Sequence, residues 1–329
     1  MATFVSAAAA RPAGTTAVFE EGRHDVQVET VHPCQAKGLP KPLLVAAPKD
    51  PGSYPVIVFL HGWNMYNSWY QNLLKHVASH GFIAVAPQLY VFSILTVVNM
   101  DDKKDIATTK QVTNWLADEQ QGLLYVLSNI LKVDGVKPDL SRLALAGHSR
   151  GGDTAFAVAL GLKGKGDETS LDLNFSALIG VDPVAGLAEW LQVEPKVLSG
   201  SLINPRMPVL VIGTGLGPEG NILPPSLPCA PAGVNHINFY KECAPPRYHF
   251  TAKDYGHLDM LDNDVPLLVD CMCKRNPEHT KELARRTMGG LMVAFLRAML
   301  EDKDEDLNTV LQNPDLAPAV LDQVEYDLA

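Results

Sequence analysis

At 329 residues, 47% hydrophobic and 19% charged, the chain is apolar enough to bury a large core, which excludes disordered and collagen-like classes. A formal charge of −10, from 27 Lys and Arg against 37 Asp and Glu, provides no basic stripe for phosphates and argues against a nucleic-acid partner. Five cysteines are too few for a disulfide scaffold, so buried thiols or one to two local disulfides are expected.

Residues 1–22 are expected to form a flexible N-terminal segment. Met1 to Gly14 lacks the apolar run of a secretory signal and has little of the Ser and Arg richness of a transit peptide, so a short plastid-type leader is the one targeting signal it could form. Val26 to Val31 and Leu43 to Ala46 read as antiparallel edge strands, Pro55 to Leu60 as a buried strand and Asn67 to Ser79 as a helix. The uncharged window from Gly81 to Met100 is long enough to span a bilayer, but Pro87 and Gln88 interrupt it. Phe82 to Ala86 is therefore read as a strand, and residues 89–98 as an apolar loop that is a lid, a lip for peripheral membrane contact, or simply packed inside.

A helix from Ala107 to Leu131 leads to a strand at Arg142 to Ala146, a helix at Asp153 to Leu162 and strands at Phe175 to Val181 and Pro208 to Ile212. A long proline-rich connection, read as a substrate-covering wall, precedes a strand at Tyr248 to Thr251 and a helix from Pro277 to Leu300. This alternation predicts one α/β domain over residues 23–302, with a mostly parallel central sheet and helices on both faces. The charged run from Glu301 to Asp306 introduces residues 303–329 as a C-terminal surface tail with a modest apolar face. Cys271 and Cys273, taken with Cys229, Cys243 or His236, lack regular zinc spacing, so no metal is expected.

Gly147-His-Ser-Arg-Gly151 fits G-x-S-x-G and lies between a predicted strand and a predicted helix, the context in which a sharp turn lifts a nucleophilic serine above the sheet. Ser149 is the candidate nucleophile. In the chain order Ser, Asp, His of α/β hydrolases, the base is one of the four histidines that follow: His236, His249, His257 or His279. His249 falls inside a strand pattern and His279 opens a helix. His236 is the second candidate, and His257, just past the last strand of the series, is the first. Asp182, ending the strand at Phe175 to Val181, is the leading acid; Glu219, Asp254, Asp259 and Asp262 are alternatives. The oxyanion donors are expected to be the N–H groups of Arg150 and of Trp63 or Gly62 in the loop after Leu60. Met65, Tyr66 and Trp69 beside that loop, with Phe92, are candidate substrate contacts.

Phe59-Leu-His-Gly62, Phe82-Ile-Ala-Val-Ala-Pro-Gln88, Gly147-His-Ser-Arg-Gly-Gly152 and Ala177-Leu-Ile-Gly-Val-Asp-Pro183 together resemble the plant chlorophyllases over about Tyr54 to Leu300. The resemblance implies an α/β-hydrolase fold and hydrolysis of the phytyl ester of chlorophyll, or a related tetrapyrrole ester, to chlorophyllide and phytol. It also implies Ser149, Asp182 and His257 as the triad, no cofactor beyond the magnesium carried by the substrate, and a chloroplast location, with the cytosol as the other option. The residues alone reach a serine ester hydrolase. They leave open a general carboxylesterase or lipase of the platelet-activating-factor acetylhydrolase type and a non-catalytic binding protein of the same fold.

Overall fold

The computed structural model describes residues 16–90, 101–163, 168–220 and 227–329. Its strands are β1 (Val26–Val31), β2 (Leu43–Pro48), β3 (Gly52–Leu60), β4 (Ile83–Pro87), β5 (Val136–His148), β6 (Ala177–Val181), β7 (Gly186–Ala188), β8 (Leu191–Gln192), β9 (Val209–Thr214), β10 (Arg247–Ala252) and β11 (Leu321–Asp327). Its helices are α1 (Gln71–Ser79), α2 (Lys103–Leu116), α3 (Leu123–Tyr125), α4 (Arg150–Ala159), α5 (His236–Glu242), α6 (Leu267–Asp270), α7 (Lys281–Leu300) and α8 (Glu305–Gln312). Nine of the strands form one sheet in the order β1-β2-β4-β3-β5-β6-β9-β10-β11. From β4 to β10 every neighbouring pair is parallel, and antiparallel pairing is confined to the two sides.

Because successive side chains alternate across a strand, this sheet divides the core in two. Ile57 and Phe59 face a cluster built with Leu73, Val77, Met288 and Phe295 of α1 and α7. Val56, Val58 and Leu60 face the other, with Ile106, Val112, Phe156 and Phe239 of α2, α4 and α5. Both faces of β3 are buried, which is why it reads as a continuous apolar run rather than an alternating one.

Three expectations about organisation change. The helix expected from Ala107 to Leu131 is two pieces, because the Asp118 carboxylate accepts the N–H groups of Gln120 and Gln121 at 2.9 and 2.8 Å and draws the backbone out of the helix. Within the segment expected to be flexible, the residues from 16 onward are anchored: Val18 and Phe19 are buried, and the Val18 carbonyl is 2.7 Å from His76 Nε2. Residues 1–15 lie outside the described residues. The expected surface tail supplies α8 and then β11, which pairs antiparallel with β10 and covers an edge that would otherwise expose unpaired backbone groups.

The uncharged window 81–100 contributes β4, and its residues 91–100 lie outside the described residues. No helix among the described residues is long and apolar enough to cross a membrane. Two of the cysteines weighed for zinc, Cys229 and Cys273, instead form a disulfide that closes a loop of sequence separation 44.

Candidate active site

Ser149 sits between the end of β5 and the start of α4 with φ 56° and ψ −127°, a left-handed conformation that costs a non-glycine residue energy and is held by its surroundings. The neighbouring glycines permit it. A Cβ on Gly147 would lie 2.1 Å from the Gly151 carbonyl oxygen, and one on Gly151 would lie 2.4 Å from the carbonyl oxygens of Leu60 and His61. The Ser149 N–H donates to the Val181 carbonyl at 3.1 Å, tying the turn to the strand that carries the acid.

His257 hangs from the loop after β10. Its Nε2 is 2.8 Å from Ser149 Oγ and its Nδ1 is 2.6 Å from Asp182 Oδ2. With Nδ1–H donating to the carboxylate, Nε2 is left as the acceptor for the serine hydroxyl. Asp182 is fully buried. Burial by itself raises its pKa, but the hydrogen bond and charge of His257, helped by Thr214, outweigh that and bring it to about 2. Asp182 therefore remains ionised and able to stabilise an imidazolium.

The rival residues have other duties. His236, expected in a loop, opens α5, and its Nδ1 is 2.9 Å from His249 Nε2. His249 Nδ1 is in turn 2.9 Å from Glu325 of β11. The His279 ring packs against Tyr255. Asp259 accepts the Gly256 N–H at 2.7 Å and Asp262 that of Asn72 at 3.2 Å, so these two carboxylates shape and anchor the His257 loop.

Of the expected oxyanion donors, Gly62 is corrected: its N–H donates to Tyr70 Oη at 3.0 Å and is committed to the loop's own structure. Trp63 follows it in a turn closed by the Met65 N–H on the Gly62 carbonyl at 3.2 Å, and it lines the cavity that opens over Ser149. The Arg150 N–H belongs to the first turn of α4, where helix geometry provides no intrahelical acceptor. Its side chain turns away from the cavity onto the buried Asp102, the Asp101 carbonyl at 2.9 Å and Asp105 at 3.5 Å.

The cavity, of about 180 Å³, is walled by Met65, Leu187, Leu258, Val269, Met272 and the Cys229–Cys273 disulfide. Of the expected substrate contacts, Met65 lines this cavity, and Tyr66 and Trp69 are not among its lining residues. The short 3-10 turn Asn67–Tyr70 brings their rings together edge to face at 5.1 Å, and Trp69 packs on the core. Phe92 lies outside the described residues.

The chlorophyllase family model matches residues 14–328. The chain belongs to the chlorophyllase family. Chlorophyllase-2 of Arabidopsis thaliana is 46% identical over 276 residues, covering 82% of this chain and 80% of that one. Chlorophyllase-1 of the same plant is 38% identical over 316 residues, covering 94% and 92%. A relative from Citrus unshiu named as a chloroplastic chlorophyllase-1 is 37% identical over 326 residues, covering 97% and 90%. The chlorophyllase family consists of carboxylic ester hydrolases, and the sheet order and elbow described above are consistent with an α/β-hydrolase fold.

The roles of four polar residues of this chlorophyllase-family site escaped the sequence reading. Thr214 ends β9, a customary place for the acid of this fold. No carboxylate stands there, and the Thr214 hydroxyl and N–H instead meet Asp182 from the neighbouring strand, at 2.6 and 3.1 Å. His148 is the variable residue before the nucleophile, and Tyr70 ends the 3-10 turn. Both are fully buried, with Tyr70 Oη 2.7 Å from His148 Nδ1. His61 is buried too: its Nδ1 is 2.8 Å from the Gly62 carbonyl, its Nε2 accepts the Leu89 N–H at 3.0 Å, and burial lowers its pKa to about 4, so it stays neutral.

Proposed function

We propose that this chlorophyllase-family protein hydrolyses the ester joining phytol to the chlorophyll ring, with Ser149 as nucleophile, His257 as base and Asp182 as orienting acid. The observation that carries the reading is the unbroken chain from Ser149 Oγ to His257 Nε2 at 2.8 Å and from His257 Nδ1 to Asp182 Oδ2 at 2.6 Å. His257 takes the hydroxyl proton as Ser149 attacks the ester carbonyl, and Asp182 stabilises the imidazolium. The N–H groups of Arg150 and Trp63 face the tetrahedral oxyanion, and donors of this kind contribute about 3–4 kcal/mol each. His257 then returns the proton to the departing phytol oxygen. Water, activated by the same imidazole, releases chlorophyllide from the acyl-enzyme.

An apolar substrate suits the mouth of the cavity. Leu187 and Met272 reach into it while remaining 56% and 48% exposed, and Leu267 and Leu268 of α6 are exposed beside it. A lipid-bound ester can be met by such a rim without burying polar groups. We place the protein in the chloroplast, as the Citrus relative's name places that protein, and fractionation of plant tissue tests this.

Incubation with chlorophyll a should yield chlorophyllide a and free phytol in equal amounts. Ser149→Ala should abolish turnover with an unchanged circular dichroism spectrum. Retained turnover in that variant rejects the assignment, and hydrolysis of short p-nitrophenyl esters or phospholipids in preference to chlorophyll rejects the substrate.

A further inference from the structure

Behind the three residues assigned above lies a second chain of hydrogen bonds, whose donors follow once the buried His148 ring is neutral. His148 Nε2 is 2.9 Å from the carbonyl oxygen of His257. A carbonyl only accepts, so Nε2 carries the proton, and in a neutral imidazole Nδ1 is then an acceptor. Tyr70 Oη lies 2.7 Å from that Nδ1 and 3.0 Å from Met65 Sδ; it donates its proton to the nitrogen, a far stronger acceptor than a thioether, and uses a lone pair for the Gly62 N–H at 3.0 Å. The chain thus runs from the loop after β3, through Tyr70 and His148, to the backbone of the residue that bears the base.

We propose that Tyr70 and His148 are positioning residues of this ester-hydrolysing site, setting the loop that carries Trp63 and the loop that carries His257 at a fixed separation around Ser149. The inference rests on the triad reading above. His148 precedes Ser149 directly, so the chain meets the elbow at its centre and binds all three moving parts of the site to one rigid point. Both rings are fully buried, leaving no water to replace a lost partner. Desolvation, reinforced by the nearby His257, holds the His148 pKa well below its ordinary value. The ring therefore stays neutral in its single useful tautomer while His257, with its ring centroid 4.6 Å away, takes up and releases the catalytic proton. A charged His148 would lose the acceptor for Tyr70 and repel the imidazolium.

The test compares the wild-type chain with Tyr70→Phe, His148→Leu and His148→Gln, reading kcat and KM on chlorophyll a and the rate at which a fluorophosphonate labels Ser149. Tyr70→Phe and His148→Leu should lower kcat about 10- to 100-fold, with KM changed by less than about twofold, because misplacing reacting groups costs the transition state rather than substrate binding. The labelling rate should fall by a similar factor. His148→Gln, whose amide offers both a donor and an acceptor, should recover most of the loss. A folded Tyr70→Phe variant with wild-type kcat overturns the proposal, as does a loss confined to KM. Should His148→Leu fail to fold, Tyr70→Phe decides, since it keeps the ring and removes only the hydroxyl. A wild-type Ser149 that resists the fluorophosphonate overturns the triad reading itself, a result distinct from any behaviour of the relay variants.

Discussion

Thr214 grips Asp182 twice, with its hydroxyl 2.6 Å from Oδ2 and its N–H 3.1 Å from Oδ1, although 32 residues separate the two in the chain. Hydrogen bonds to a buried carboxylate stabilise its charged form, and losing one costs about 1.5–3 kcal/mol. Thr214→Val, which keeps the shape and removes the hydroxyl, should destabilise the protein by about that amount at neutral pH in denaturant titrations. The Asp182 pKa in the folded protein, about 2, lies below its unfolded value, so its contribution is complete above the unfolded pKa and disappears as pH falls through about 2. The variant's deficit should accordingly shrink in strong acid. A deficit that is the same at every pH would contradict this account.

Gly62 is packed against the nucleophile. A Cβ there would lie 2.8 Å from Met65 Sδ, 3.0 Å from His148 Nδ1 and 3.2 Å from Ser149 Cβ. The last two neighbours are locked by the elbow, so in Gly62→Ala the loop must retreat and take the Trp63 N–H with it. Steady-state kinetics should show kcat/KM reduced about 100-fold, while stability changes by no more than about 1–3 kcal/mol. An alanine variant with wild-type kcat/KM would mean that the loop does not contribute to catalysis.

Arg150 and Asp102 form a buried ion pair beneath the elbow, and the Thr154 hydroxyl donates to the second Asp102 oxygen at 2.6 Å. Removing one member of such a pair leaves an uncompensated charge and costs about 3–5 kcal/mol. Arg150→Met should lose that much in chemical denaturation, and Arg150→Lys should restore only part of it, because an ammonium cannot reproduce the guanidinium's planar set of donors. Wild-type stability in the methionine variant would count against a structural role for the pair.

Asp105 stands near the same pair, with its carboxylate 3.5 Å from the Arg150 guanidinium. Burial first, then the charge of Asp102, raises its pKa to about 7. A carboxyl whose pKa is raised on folding binds more protons in the native than in the unfolded state, so stability falls as pH rises between the two values. Asp105→Asn should match the wild type near pH 4 and exceed it by about 2–4 kcal/mol near pH 8 in paired unfolding experiments. An advantage that does not grow with pH would show that Asp105 is not ionising against its surroundings.

Much of this molecule can be read one segment at a time. The parallel strands announce themselves as short apolar runs because they are buried on both faces. The elbow is visible in five consecutive residues because its bend requires glycines at fixed places, where a Cβ would lie within 2.4 Å of backbone carbonyl oxygens. Asp182 and His257 were legible as residues beyond the carboxyl ends of strands, the positions from which side chains of different strands can converge.

What escaped that reading depends on partners distant in the chain. The bond between Tyr70 and His148 spans 78 residues, and that between His148 and the His257 carbonyl spans 109. Neither residue type signals such a role by itself, and only the strand order, with β3 beside β5 and β10 parallel to both across β6 and β9, brings these loops together. The same holds for Cys229 with Cys273, for β11 beside β10, and for the Gly62 N–H, whose engagement by Tyr70 leaves the next residue facing the cavity. Backbone preferences and burial patterns are written into neighbouring residues and so determined the elements and the chemistry at their ends. The identity of each hydrogen-bond partner was decided by strand order and close packing, which only the folded chain possesses.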